Sequence, residues 1–210
     1  MRLARPTLIV SALAVAGALG AVLYGTAGPA GNGGASCRAA SAAAERLAPL
    51  ARGEVAAVTV STRSKPVADL SFDGPAGEPT TLADFRGRTV LLNLWATWCA
   101  PCRHEMPALD KLQSELGGPG FEVVAVNIDT RNLDKPKAWL QENGIGRLRP
   151  YADPQGRVFQ ALQRSGQVVG LPTTLLIDPE GCEVAVLKGP ADWASADALR
   201  LVRAALGLPG

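Results

Sequence analysis

The chain contains a buried-strand pattern that leads directly into a pair of cysteines. Residues 89–96 (TVLLNLWA) form a dense β-forming run, as expected of a strand covered on both faces, and Cys99 and Cys102 follow it closely. A helix is predicted to begin at Cys99. The first thiol would then lie at a helix N-terminus, whose positive polarisation favours the thiolate.

This placement predicts a two-electron redox pair. A cysteine with the ordinary pKa of about 8.5 is only a few per cent ionised at pH 7, whereas a pKa near 7 makes about half of it nucleophilic. Cys99 is therefore the predicted attacking thiol. Cys102, one helical turn later, can attack a mixed disulfide on Cys99, release the substrate and close the internal disulfide.

A CxxC pair by itself is also compatible with half of a zinc site or with a static disulfide. A zinc site would need two more ligands, but the other cysteines stand alone at Cys37 and Cys182, and His104 is the only histidine. The strand-to-helix context favours redox chemistry over a static bond. We therefore expect no metal and no bound cofactor besides the Cys99–Cys102 pair.

The rest of the sequence alternates strand and helix patterns, which predicts an α/β fold. The first expected helix is 38–52, which Pro49 would shorten or bend and Gly53 would end. Further helices are expected from residue 99, over 134–143 and over 193–206. The expected strands are 55–60, 89–96, 121–128, 173–177 and 182–187, with turn residues at 73–79 and 178–181.

The N-terminus resembles a membrane signal. Arg2 and Arg5 precede an uncharged, mostly apolar run over residues 8–24, which a cleaved signal peptide would also explain. We expect a cytoplasmic stub at 1–7, an uncleaved transmembrane anchor at 8–24 and a flexible linker at 25–36, with the remainder in the periplasm. The net charge of +2 and the lack of a basic run argue against nucleic acid as a partner.

The segment around the cysteines carries a family resemblance. Residues 92–102 (LNLWATWCAPC), with Pro107 later in the helix, closely resemble the thioredoxin superfamily and, within it, the TlpA family. Residues 72–74 (FDG) and 82–88 (LADFRGR) resemble the family's approach segment. Residues 170–174 (GLPTT) resemble its cis-proline loop.

The resemblance covers residues 66–206 and implies a thioredoxin-like fold with a central mixed β-sheet flanked by helices. Residues 66–210 would form this domain, and 37–65 would be an N-terminal extension. In that fold Pro172 would be cis and would present the backbone of Leu171 to a client protein, although cis bonds are otherwise uncommon. Trp98, beside the thiol, would be a further client contact.

The family also implies a function and a second disulfide. Its members are dithiol reductants of exported proteins, with copper-site assembly factors of cytochrome oxidase as expected clients and a membrane dithiol carrier as electron donor. Related branches reduce apocytochrome c. TlpA proteins carry an additional structural disulfide, which here implies a bond between Cys37 and Cys182, the two cysteines left over. The alternative is that these two form a second redox pair.

Glu105 is the predicted proton carrier. Asn93 lies where thioredoxin has a proton-carrying aspartate, and related TlpA-like proteins instead have a glutamate three residues after the second cysteine, which matches Glu105. At about 100° per residue, Glu105 falls inside the apolar stripe that contains Cys102, so burial would raise its pKa toward a useful range. His104 falls about 140° from the centre of that stripe and is expected to face water.

Three other functions would use the same cysteines. The pair would oxidise or isomerise disulfides if its reduction potential were high, because direction is set by potential. The approach segment around Phe85 also resembles thiol peroxidases, although the closely spaced Cys102 argues against peroxide reduction. A copper chaperone would bind the metal through Cys99 and Cys102 without redox turnover, with His104 as a candidate third ligand that the helical geometry points away from them.

Overall fold

The computed structural model of the protein describes residues 37–209. The stub, anchor and linker predicted over residues 1–36 lie outside this range. Among the described helices, none is both long and apolar enough to cross a membrane.

The centre of the fold is a mixed β-sheet built from four long strands. These are β4 (Thr89–Trp95), β5 (Phe121–Asn127), β7 (Thr173–Ile177) and β8 (Glu183–Lys188). β4 pairs in parallel with β5 and antiparallel with β7, which in turn pairs antiparallel with β8. Every residue of β4, β5 and β7 is buried, as their dense β-forming runs predict, and the buried residues include the polar Asn93 and Glu122.

Short strands extend this sheet on both sides. They are β1 (Thr59–Val60), β2 (Ser71–Asp73), β3 (Pro79–Thr81) and β6 (Tyr151–Ala152), and the sheet order is β1-β8-β7-β4-β5-β6-β2-β3. β2 and β3 form a hairpin across the turn predicted at 73–79. The thioredoxin-like α/β fold is therefore confirmed, with more edge strands than the sequence indicated.

Helices cover both faces of the sheet. They are α1 (Arg38–Leu47), α2 (Ala100–Leu116), α3 (Lys135–Glu142), α4 (Arg157–Arg164) and α5 (Ala196–Ala205). Side chains of α1, α2, α3 and α5 pack in one core with Leu91 of β4, whereas those of α4 pack in a second core with its neighbour Leu92. This division follows from the alternation of side chains along a strand.

The N-terminal extension differs from its prediction. The helix expected over 38–52 ends at Leu47, and a 3-10 turn containing Pro49 follows, because proline cannot continue the backbone hydrogen bonds of a helix. Gly53 does not end the helix but begins a second 3-10 turn at a φ of +55°. The strand expected over 55–60 is only Thr59–Val60, which pairs with β8 and adds the extension to the sheet.

Two elements between β5 and β7 were not predicted. β6 is only two residues long, and α4 is eight residues long with Gly156 at a φ of +67° as its N-cap. Gly156 has no side chain to accept from the first backbone N–H groups of α4, and the carboxylate of Asp153 accepts from those of Arg157 and Val158 instead. Because Asp153 precedes the helix by several residues, the usual sequence signal of an N-cap is missing.

Candidate active site

The structure joins Cys99 and Cys102 in a disulfide at the start of α2. Cys99 is the N-cap residue, and its Sγ accepts a hydrogen bond from the backbone N–H of Cys102 at 3.3 Å. Pro101 lies in the first turn, where a helix needs no backbone donor. Once the bond is reduced, this N–H and the helix N-terminus both favour the thiolate of Cys99 over its thiol.

The two sulfurs differ in their access to solvent. Cys99 is 6% exposed and lines an open cavity, whereas Cys102 is completely buried beneath it. An incoming disulfide can therefore reach Cys99 first. Cys102 is placed to act afterwards, from inside the protein.

The cavity beside Cys99 is a groove of about 730 Å³. Its walls carry apolar and uncharged polar side chains, among them Trp98, Ile128, Phe159 and Leu171. Trp98 is 68% exposed, which is unusual for a large aromatic side chain and typical of a binding surface. Phe159 comes from α4, so the groove depends on the helix that the sequence pattern did not reveal.

The Leu171–Pro172 peptide bond is cis, and it immediately precedes β7. Leu171 lines the same groove as Cys99, while Pro172 itself is buried and its carbonyl accepts a hydrogen bond from the backbone N–H of Gly189. The predicted client contacts Trp98 and Leu171 thus lie in the walls of one groove.

Glu105 is buried on the inner face of α2, with a relative exposure of 3%. Burial raises the pKa of its carboxyl from 4.5 to about 7, because desolvation penalises the charged form. Hydrogen bonds from Asn93 Nδ2 (2.7 Å) and from the backbone N–H of Ala191 (3.2 Å) offset this only in part. At neutral pH the carboxyl can therefore either donate or accept a proton.

Asn93 connects Glu105 to the strand beside the cis-proline loop. Its Nδ2 donates to Glu105 and, at 2.9 Å, to Thr174 Oγ1 in β7. The sequence named Asn93 only as a residue unable to carry a proton and Thr174 only within the cis-proline loop motif, and it gave no sign of Ala191. These contacts join residues far apart in the chain, so no local signal could have identified them.

His104 faces solvent, as its helical position predicted. It lines a separate surface depression with Glu54, Glu105 and Asp192, and it is not among the residues that line the groove of Cys99. The structure therefore does not bring His104 to the groove from which Cys99 is reached.

A second disulfide joins Cys37 to Cys182 across 145 residues, with their Cα atoms 5.7 Å apart. Cys37 immediately precedes α1, and Cys182 is fully buried before β8. The bond connects the start of the extension to the sheet. Neither cysteine lines the groove of Cys99.

Comparison with known proteins assigns the family. The family model described as AhpC/TSA matches residues 64–184, which is more than half of the chain. The chain belongs to the AhpC/TSA family. The matched range contains both cysteines of the CxxC pair, Glu105 and Pro172.

Two relatives of this AhpC/TSA chain have names that refer to thioredoxin or to thiol–disulfide oxidoreduction. Thioredoxin-like protein YneN of Bacillus subtilis is 38% identical over 119 residues, which span 54% of this chain and 64% of YneN. Thiol-disulfide oxidoreductase ResA of the same species is 34% identical over 113 residues, which span 54% of this chain and 60% of ResA. The similarity thus covers less than two thirds of these relatives.

Solved structures support the fold of this AhpC/TSA chain over a longer range. A protein from Chlorobium tepidum described as a putative thiol:disulfide interchange protein DsbE is 30% identical, with a TM-score of 0.58. The match covers 71% of this chain and all of that one. A DsbF homologue from Corynebacterium diphtheriae is 25% identical with a TM-score of 0.56, over 70% of this chain and 91% of that one.

Proposed function

We propose that the protein is a thiol:disulfide oxidoreductase that reduces disulfide bonds in client proteins. The observation that carries this proposal is the position of Cys99, at the N-cap of α2 and in the wall of an open, uncharged groove, with Cys102 buried beneath it. The names of the relatives YneN, ResA and DsbE support the same chemistry.

The proposed reaction begins with the reduced pair. The Cys99 thiolate attacks one sulfur of a client disulfide, which breaks that bond, forms a mixed disulfide and releases the other client sulfur as a thiolate. Cys102 then loses its proton and attacks the Cys99 sulfur, which releases the second client thiolate and closes the Cys99–Cys102 disulfide. The client gains two electrons, and the two released thiolates take up protons.

Glu105 is the proposed proton carrier for the second step. A carboxyl with a pKa of about 7 is deprotonated in about half of the molecules at neutral pH, so it can accept the proton that Cys102 loses. Its position one turn after Cys102 on the same face of α2 supports this role.

We further propose that the protein works in the periplasm as a TlpA-type reductant, anchored to the inner membrane through residues 8–24. The apolar run and the preceding arginines support the anchor and its orientation. The expected clients are copper-site assembly factors of cytochrome oxidase, with apocytochrome c as the alternative. A membrane dithiol carrier would return electrons to the Cys99–Cys102 pair.

A trapping experiment tests this function and identifies the client. In Cys102→Ser the attack by Cys99 is retained but the mixed disulfide cannot be resolved, so a covalent adduct should accumulate in cells and be identifiable by mass spectrometry. Cys99→Ser is the matched control and should trap nothing. Equal adduct yields from the two variants would contradict the assigned roles.

The competing functions have different signatures. Reduction of insulin disulfides by the wild-type protein is expected of the reductase. Tight, stoichiometric binding of Cu(I) that survives glutathione, without insulin reduction, would favour the copper chaperone. A measured reduction potential well above that of a reductant would favour oxidation or isomerisation instead.

A further inference from the structure

The turn that carries Cys99 begins where the parallel pairing of β4 and β5 ends. Trp95 is the last residue of β4 and lies opposite Asn127, and the backbone N–H of Ile128 still donates to the carbonyl of Trp95 at 2.9 Å. Beyond this point the chain leaves the sheet. On the side of β4 that faces β5, the next backbone donor is the N–H of Thr97, which is 2% exposed.

Asp129 supplies the partner that the sheet no longer provides. Its carboxylate accepts from the backbone N–H of Thr97 at 3.2 and 3.3 Å and from the Thr97 hydroxyl at 2.7 Å. Asp129 is 5% exposed, so water cannot readily replace these bonds. A further bond from its own N–H to Asn127 Oδ1, at 2.9 Å, folds residues 127–129 into an Asx turn.

The same contact joins the two sides of the active site. On one side, Thr97 lies two residues before Cys99, and the backbone N–H of Cys99 donates to Ala96 at 3.1 Å. On the other side, the neighbours of Asp129 in the chain, Ile128 and Thr130, both line the groove. Asp129 thus connects the turn of the attacking sulfur to a second segment that lines the groove, residues 128–130.

We propose that Asp129 is a positioning residue for thiol–disulfide exchange. It holds the turn at residues 97–99 in a fixed position relative to Ile128 and Thr130, which line the groove. The effect of Asp129 on catalysis rests on the proposed function. The hydrogen bonds between Asp129 and Thr97 do not depend on it. Without the carboxylate, the buried N–H and hydroxyl of Thr97 lose their partner and the turn can shift. A client disulfide would then bind more weakly and meet Cys99 in a poorer geometry.

The test compares substitutions at both ends of the contact, with insulin reduction under a fixed dithiothreitol supply as the activity. Asp129→Ala removes all three hydrogen bonds and should lower kcat/KM by of order tenfold to a hundredfold, through both a higher KM and a lower kcat. Thr97→Val removes only the hydroxyl bond and should cost less, while Thr97→Ser should restore activity. The Asp129→Ala, Thr97→Val double variant should be no worse than Asp129→Ala alone.

Asp178→Ala is the matched control for destabilisation. Asp178 is also a buried carboxylate that accepts from backbone N–H groups, those of Glu180 and Cys182, but it lies in the β7–β8 turn outside the groove. It should lower stability without changing KM. A lower kcat with unchanged KM in Asp129→Ala would mean that fewer molecules are folded, and it would overturn the proposal. Additive effects of Asp129→Ala and Thr97→Val in the double variant would mean that the two residues act independently, and this result would overturn the proposal as well.

Amide hydrogen exchange tests the positioning role independently of turnover. In Asp129→Ala, exchange should accelerate at both Thr97 and Cys99, and it should not accelerate there in Asp178→Ala. Faster exchange at Thr97 with no change at Cys99 would show that the turn does not depend on Asp129. If the wild-type protein reduces no disulfide, the proposed function fails, and the exchange data still decide whether Asp129 holds the turn.

Discussion

Replacing Glu105 with Gln should remove a pH dependence from the stability of this protein. The carboxyl has a pKa of 4.5 in an exposed reference state and about 7 in the folded protein, because burial penalises its charge. Between these pH values the native state binds more protons than the unfolded chain, so the free energy of unfolding falls as pH rises. A shift from 4.5 to about 7 corresponds, at about 1.4 kcal/mol per pH unit, to about 3 kcal/mol in total.

The glutamine side chain introduced by Glu105→Gln is close in shape to the protonated carboxyl but cannot ionise. At pH 4 the two proteins should therefore have similar stabilities, because each side chain is neutral and keeps a carbonyl oxygen that can accept from Asn93 or Ala191. By pH 8 the wild type has lost the full contribution of protonated Glu105 to the free energy of unfolding, about 3 kcal/mol. Glu105→Gln should then be more stable by about 3 kcal/mol, which for a chain of this size is a rise in Tm of roughly 6–12 °C.

Urea unfolding of the two oxidised proteins, measured from pH 4 to pH 8, checks this prediction. Taking the difference between them cancels the titration of all other groups. Glu115→Gln is the matched control, since Glu115 lies on the same helix with its side chain 35% exposed, and its difference from wild type should change by less than about 0.5 kcal/mol. A Glu105→Gln difference that is equally flat would refute the raised pKa.

Three further predictions concern other parts of the site. Replacing both Cys37 and Cys182 with Ser should lower the free energy of unfolding by up to about 5 kcal/mol, because their bond closes a loop of 145 residues. Reduction of a small disulfide should continue in this variant, whereas full stability with lost activity would indicate a redox role instead. Asn93→Ala removes a hydrogen bond that lowers the pKa of Glu105, so that pKa should rise above about 7 and the pH–rate profile should shift to higher pH. An unchanged profile would show that the protonation of Glu105 does not affect turnover. Trp98→Ala should raise KM for insulin by about tenfold and leave the reaction with small disulfides nearly unchanged, whereas equal losses on both would argue against a client contact.

The parts of the fold that were predicted correctly are those with a strong local pattern. Strand β7 was predicted at its observed bounds, and β4 and β5 within one residue, because a strand buried on both faces is dense in apolar and β-branched residues. Helix α2 was found because its apolar residues repeat at the helical period. Helix α4 was missed, since it is short and its capping carboxylate comes from Asp153, outside the usual N-cap position.

The sequence by itself determined the reactive chemistry: a CxxC pair at a strand-to-helix junction, with Cys99 at the helix N-terminus and Glu105 on the inner face of that helix. These properties depend on residues adjacent or one turn apart, which backbone geometry alone brings together. Only the tertiary structure decided how buried Glu105 is and which donors, Asn93 and Ala191, face it. It also decided that Asp129 holds Thr97 beside the groove, because desolvation and hydrogen bonding depend on segments that meet only after the chain has folded.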